Sequence, residues 1–366
     1  MWLTSSSIGR KFVMAITGLA LVLFVTFHVL MNAVALIWPT AYNQVCEFLG
    51  ANWYALVASA GLALLFIIHI VYAIWLTLQN RAARGNDRYA VAGAAPGVEW
   101  SSKNMLVLGI VVVAFLVVHL IQFWAKMQLV EVLGADVENL AKIGETPCAP
   151  AMGTLFIQAA FQEWWTPVIY IIGFVALWFH MTHGFWSMFH TIGWDNNIWI
   201  SRLKTIANWW TSIVIALFIA QAVVFAVRAH NNYYLENADL QAQYGEHWSE
   251  IFNEEADALL PQIEAAFEEF QQKPNFNTAE AQQEFFATTV AEFMPKAEAI
   301  INNLKACAGA YAKPNQALVT LQNFVQQMRP MVDRSVMLKN AAAAKPAAQE
   351  APAAQEAQPE ENTNNQ

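Results

Sequence analysis

Leu177 to His190 reads LWFHMTHGFWSMFH, and its three histidines, His180, His183 and His190, interrupt a run otherwise suited to lipid. The apolar stretch around it, about 164–189, is long enough to cross a bilayer, which takes about 20 helical residues. An imidazole at that depth is costly to bury, so each one reads as a functional residue whose partner must be named. Which partner each histidine takes decides the architecture of the rest of the chain.

Four further apolar segments, about 12–38, 53–79, 104–128 and 206–228, are each long enough to span as well. The first three carry one histidine apiece within the apolar run: His28, His69 and His119. The fifth span has only His230, at its end. The chain is 366 residues long, 57% hydrophobic and 13% charged, which is too apolar for an ordinary soluble domain. One buried histidine suits a structural hydrogen bond; one in each of four consecutive spans points to a shared ligand.

Depth sorts the four. At about 1.5 Å rise per residue, His69 lies roughly 14 Å from the end of its helix at Leu78, and His180 is similarly placed relative to Phe189. His28 and His119 lie about 10–15 Å from the opposite ends of theirs. With antiparallel neighbours this makes two level pairs, His69–His180 and His28–His119, one above the other. Facing imidazoles at one depth in an apolar sheath fit bis-histidine haem ligation, and two pairs imply two b-type haems. Zinc or copper would want three or four ligands converging at one level. Gly18 and Gly109 lie near the depth of the His69–His180 pair and Gly173 outward of His180. Each can admit a flat porphyrin, although small residues also serve plain helix packing.

Angle divides the opening stretch. At about 100° per residue His183 and His190 differ by about 20°, whereas His180 stands about 60° from His183. They cannot all serve one haem. His180 is the ligand candidate, His183 its competitor, and His190 an interfacial residue suited to a propionate, a partner or water.

Charge sets orientation. Arg10, Lys11, Arg81, Arg84, Arg88, Lys103, Arg202 and Lys204 collect at one end of the spans, whereas the other end carries Glu47, Glu131, Asp136, Glu138 and Glu145 with few bases. The positive-inside rule puts the N-terminus inside and everything after the fifth span outside. The opening MWLTSSSIGRKFVMAITG has a signal-like charge, but its apolar run continues too far and lacks a small-residue cleavage site; it reads as a retained first span.

From Asn231 onward nineteen acids face eight bases. That balance argues against nucleic acid and for a solvated helical appendage. Phe252, Ala256, Leu259, Ile263, Phe267 and Phe270 recur at helical spacing. Asn277 with Glu280 reads as the N-cap of a second helix through Phe285, Phe286, Val290 and Phe293, and a third covers about 315–338. The loop 129–163 is long enough to lie across the outer surface. The expected organisation is a five-helix dihaem domain over 1–230, an acidic helical extension over 231–340, and an Ala/Pro/Gln/Glu-rich disordered tail over 341–366. The fold class is thus an all-α membrane protein: five transmembrane helices with a four-helix haem-binding core, plus a C-terminal soluble helical extension.

Cys46, Cys148 and Cys307 all fall on the outer side, and no CxxC or CxxCH occurs, so the chain offers neither an iron–sulfur cluster site nor a covalent haem site. Cys46 and Cys148 are either a disulfide between outer loops or separate thiols.

The segments SSSIGRKFVMAITGL leading to FHVLMN, the lone His69, the lone His119 and FHMTHGFWSMFHTIG together resemble the single-chain, five-helix, dihaem cytochrome b anchor of succinate dehydrogenase and fumarate reductase. The resemblance covers about residues 1–230. It implies His28, His69, His119 and His180 as haem-iron ligands, paired as the depth argument pairs them. It also implies a flavoprotein holding the dicarboxylate site, an iron–sulfur subunit docked on the cytoplasmic face, and electron exchange with quinone, menaquinone above all. The family often has glutamine where this chain has His190, and the extension after about 231 has no counterpart in its usual members. On this reading the protein sits in a bacterial inner membrane with a periplasmic C-terminus. A quinone near the outer haem needs a group to handle protons; Glu47 and Glu163 are the candidates, each otherwise a solvated loop carboxylate. The competing readings are the cytochrome b subunit of a hydrogenase or formate dehydrogenase, and a haem-free transporter or scaffold.

Overall fold

The first span begins where Ser6 caps it, its hydroxyl accepting from the Gly9 backbone N–H at 2.9 Å. The cap brings Arg10 and Lys11 inside the helix, so α1 covers Ser7–Ile37. The computed structural model describes residues 6–50, 52–84, 99–134, 140–144, 146–194 and 196–349. In order these form α1; α2 (Pro39–Gly50); α3 (Trp53–Arg84); α4 (Trp100–His119), continued by a π turn at Leu120–Trp124; and α5 (Gln128–Leu133). A two-stranded ladder, β1 (Lys142–Ile143) and β2 (Thr146–Pro147), is next. Then come α6 (Gly153–Phe161), α7 (Trp165–Thr191), α8 (Trp199–His230), α9 (Tyr233–Glu236) and α10 (Ala238–Gln271). Last are α11 (Ala279–Phe285), a π turn at Phe286–Val290, α12 (Ala291–Ala308) and α13 (Gln316–Gln349).

Among the described residues five helices, α1, α3, α4 with its π turn, α7 and α8, are long and apolar enough to cross a membrane. All five expected spans are present, and α8 begins seven residues before the expected 206. Apolar side chains face outward: Leu64, Ile67, Val71, Ile74 and Leu78 make an exposed stripe along α3. Such a stripe is stable when the surrounding solvent is hydrocarbon.

The chain divides into two compact units, Met1–Tyr244 and Gly245–Gln366. In the first, α7 packs against α1, α4 and α8, and α1 packs against α3 and α8. The helices α1, α3, α4 and α7 form a square whose diagonals, α1 to α4 and α3 to α7, have little backbone contact. Histidine rings reach across both diagonals. Outside the square, α8 is tied to α1 by polar bonds to main-chain carbonyls. Gln221 donates to Val29 O at 2.8 Å, and Arg228 donates to Ala35 O and Leu36 O at 3.1 and 3.0 Å. The guanidinium thereby satisfies carbonyls left open at the C-terminus of α1.

One expectation is corrected over 129–163. Residues 147–161 are mostly buried rather than a surface loop, while 131–134 are exposed: in α6, Thr154, Phe156, Ile157 and Gln158 are nearly inaccessible. Asn43 organises this end, accepting from the Thr154 N–H and hydroxyl at 3.0 and 2.8 Å and donating to Gln243 at 2.9 Å. Tyr244 meets the Thr154 hydroxyl at 2.7 Å and donates to Tyr234 O at 3.2 Å. These buried bonds carry the first unit past residue 230, to Tyr244. Cys46 and Cys148 are separate thiols, the pKa of each pushed by burial up to about 12. Cys46 instead faces Tyr42 and Gly153.

In the second unit the expected face of α10 is buried at Phe252, Ala256, Leu259 and Ile263. Phe285, Val290, Met294 and Val332 form a core with Phe267, Phe270 and Phe324 packed against it. Phe270 stacks on Phe285 at 4.1 Å. The N-cap of α11 is Thr278, not Asn277: its hydroxyl accepts from Ala281 N–H at 3.2 Å, because the helix starts one residue later than the pattern suggests. Helix α13 runs past residue 340 into the alanine run, the residue type with the highest helix propensity. Residues 350–366, read from composition as disordered, lie outside the described residues.

Candidate functional site

Each diagonal of the square is closed by one histidine pair. His28 on α1 and His119 at the end of α4 have ring centroids 5.8 Å apart. His69 on α3 and His180 on α7 stand 6.4 Å apart. All four side chains are half-buried. Two imidazoles on opposite sides of one iron, each nitrogen about 2 Å from the metal and each ring centre about 1 Å farther, would stand about 6 Å apart. Both separations are of that size.

Two rings have a hydroxyl from another helix beside Nδ1. The Thr17 hydroxyl lies 2.9 Å from Val13 O and 3.1 Å from His69 Nδ1. With that hydroxyl donating to the Val13 carbonyl, His69 would carry its proton on Nδ1 and keep the Nε2 lone pair. The His28–His119 pair repeats the device. Tyr170 donates to Gln122 Oε1 at 2.9 Å, and its hydroxyl lies 3.1 Å from His119 Nδ1. Gln122 lies in the π turn directly after His119, and its amide donates in turn to Thr166 at 3.1 Å. Polar groups that orient a histidine through its second nitrogen are the usual support of a metal-ligating imidazole.

The other member of each pair is held differently. Asn32 donates to His28 O at 2.9 Å and, more weakly, to His28 Nε2 at 3.3 Å, while Tyr42 donates to Asn32 Oδ1 at 3.3 Å. Among the described residues His180 Nδ1 is buried with no hydrogen-bond partner, which leaves the ring open to a group other than the polypeptide.

Glycines separate the two levels. A Cβ at Gly18 would lie 3.6 Å from His69 Cε1, and one at Gly109 would lie 3.6 Å from His180 Cε1. Any larger side chain there would cover an imidazole edge. Gly173 has another duty: a Cβ there would collide with the Phe115 ring, so this glycine serves aromatic packing. The residues present fit a flat macrocycle, whose iron His28 with His119, or His69 with His180, would hold.

His183 is directed elsewhere. Its Nδ1 donates to Glu99 Oε2 at 3.3 Å, and Glu99 Oε1 accepts from Lys204 at 2.8 Å. Burial by itself would raise Glu99, but the hydrogen bonds and charges of Lys204 and His183 outweigh it and hold the carboxyl below its usual range. His190 is exposed near the end of α7. Of the two acids expected to serve a quinone, Glu163 is exposed just before α7 and Glu47 is half-buried on α2. Neither is among the described hydrogen-bond partners of His28 or His119.

Thr17, Tyr170, Gln122 and Glu99 are not singled out by the sequence. The first three are ordinary polar residues in apolar helices; only the meeting of two helices gives Thr17 and Tyr170 a histidine, and Gln122 its contact with Tyr170. A scan for hydroxyls one helix away at the depth of each imidazole would have found Thr17 and Tyr170. The chain matches no known family model, no characterised protein and no solved structure.

Proposed function

We propose that the chain is the membrane anchor of a succinate:quinone oxidoreductase, holding two b-type haems between a cytoplasmic iron–sulfur subunit and membrane quinone, menaquinone above all. The observation that carries this reading is the pair of histidine contacts at two levels of one helix square, with a hydroxyl from another helix at Nδ1 of His69 and of His119. The resemblance of the N-terminal and α7 motifs to that family supports the same assignment. His69 and His180 would hold the inner haem, and His28 and His119 the outer. Bound there, the haems supply one-electron chemistry across the thickness of the membrane. The chain's own residues orient the imidazoles, keep the ring edges open at Gly18 and Gly109, and surround the outer pair with aromatic side chains. The flavoprotein with the dicarboxylate site belongs to another subunit in this proposal. The test is the purified protein's reduced-minus-oxidised spectrum with a haem count: two b haems per chain are expected, and a chain that takes up none under adequate haem supply ends the proposal.

A further inference from the structure

In the second unit, α10 and α12 run antiparallel. Ser249 and Asn253, in the first half of α10, bond to Lys313 just past the end of α12 at 2.9 and 3.1 Å, whereas Phe267 and Phe270 near the end of α10 pack against the cluster that includes Met294 at the start of α12. Between the two helices lies a groove of about 390 Å³. Its floor is Leu259 and Ile300, both buried, and the exposed Ala258 and Ala299 keep its walls low. Polar side chains stand at its corners: Glu255 and Gln262 on α10, Lys296 and Asn303 on α12. The antiparallel run puts Glu255 at the end with Asn303, and Lys296 at the end with Gln262. On each helix the two corners are seven residues apart, which is about 10 Å along the groove.

The two ends carry opposite charge. Glu255 reaches solvent at the rim, and among the described residues it has neither an ion-pair nor a hydrogen-bond partner; partial burial raises its carboxyl above the ordinary value. Lys296 contacts Glu292 at 3.4 Å and lies 5.7 Å from the Phe293 ring centre, an exposed pairing weak enough to yield to a ligand. These ends exclude whole classes of occupant. A polyamine would bring a cation against Lys296, and a dicarboxylate an anion against Glu255. A single amino acid carries both charges on one carbon, too close together to reach the two ends. An ammonium and a carboxylate about 10 Å apart do reach them, and that is the span of about three extended residues. Gln262 donates to Ala258 O at 2.9 Å, so its carbonyl is left to accept a peptide N–H, while Asn303 offers a donor and an acceptor. The volume falls within the roughly 300–1,000 Å³ of small-ligand pockets, and the floor favours small apolar side chains.

We propose that this groove binds a short extended peptide with free ends, about three residues long, its ammonium at Glu255 and its carboxylate at Lys296. The site belongs wholly to the second unit and does not depend on the haem reading.

The test is calorimetric titration of the full chain in lipid nanodiscs with tri-alanine. Saturable binding is expected. N-acetylation of the peptide and Glu255→Gln should each weaken it by about tenfold, as for loss of one charged hydrogen bond; in the Glu255→Gln variant N-acetylation should have no further effect. C-amidation and Lys296→Met should merge in the same way. Ala258→Leu, at an exposed position where leucine suits a helix, should fill the groove and abolish binding, and unchanged helicity by circular dichroism certifies the fold of all three variants. Free alanine should bind more weakly than tri-alanine, and so should ω-aminooctanoate, which has the charge spacing without the amides. Absence of saturable binding at millimolar tri-alanine, end-group effects that add to those of the variants, or equal binding of alanine, spermidine or ω-aminooctanoate overturns the proposal.

Discussion

The two histidine pairs share one geometry but are built from different materials. The outer pair sits among rings. Phe24 stacks on His28 at 5.3 Å, Phe123 lies 5.3 Å from His119, and Phe218 lies 6.2 Å from His28. The inner pair is bordered instead by Gly18 and Gly109, and an ion group of Glu99, His183 and Lys204 lies one turn beyond it. Rigid aromatic packing fixes the outer imidazoles, whereas the inner ones have open edges and a charged neighbour. Equal depth logic in the sequence therefore produces two sites that should respond differently to substitution.

Under the proposed function, the largest effect should come from the paired histidines. His69→Leu and His28→Leu should each remove one of two haems, halving the reduced b-type absorbance, and the two variants should lose spectrally different halves. If either variant loses both haems, the sites are not independent and the comparison fails. Gly109→Leu should come next: it crowds His180 and should deplete the inner haem while leaving the outer, as haem counts on the variant will show. The supporting hydroxyls separate the pairs more finely. Tyr170→Phe should weaken haem retention at the outer site and Thr17→Val at the inner, each by about 10- to 100-fold, the usual cost of losing such a partner; haem transfer to apomyoglobin measures it.

Arg228→Ala should lower the stability of the first unit by roughly 1.5–3 kcal/mol through the Ala35 and Leu36 carbonyls, with both haems still bound. Thermal unfolding in detergent reads it. The smallest effect concerns pH. Glu99 is held below its ordinary value in the fold, so its ion group contributes stability above the unfolded carboxyl value, and that contribution is lost as pH falls through the lower folded value. Glu99→Gln should flatten this acid-side decline without moving the neutral-pH spectrum. An unaltered acid limb in thermal melts would show that the ion group carries no stability.

Much of the architecture is legible along the chain because lipid imposes a simple rule: about 20 apolar residues make a span, and a histidine inside one is conspicuous. His28, His69, His119 and His180 are legible for that reason, and periodicity makes the helical face from Phe252 to Phe270 equally plain. The buried helix α6 is not. GTLFIQAAF is short and apolar, and length and periodicity do not distinguish a surface connection from a plug buried under α2 and α9. The cap at Thr278 escapes the pattern because two neighbouring residues, Asn277 and Thr278, both have capping side chains, and the backbone chooses between them.

The sequence by itself determined the five apolar helices, the depth of each histidine and the acidic character of the chain beyond the fifth span. Those properties depend on local composition and on a constant rise per residue. Only the tertiary structure decided that His180 rather than His183 faces His69, that Thr17 and Tyr170 hold one nitrogen of each pair, and that Gly109 lies against an imidazole while Gly173 lies against Phe115. Each of these is a contact between helices far apart in sequence, and helical periodicity fixes the direction of a side chain without naming what it meets.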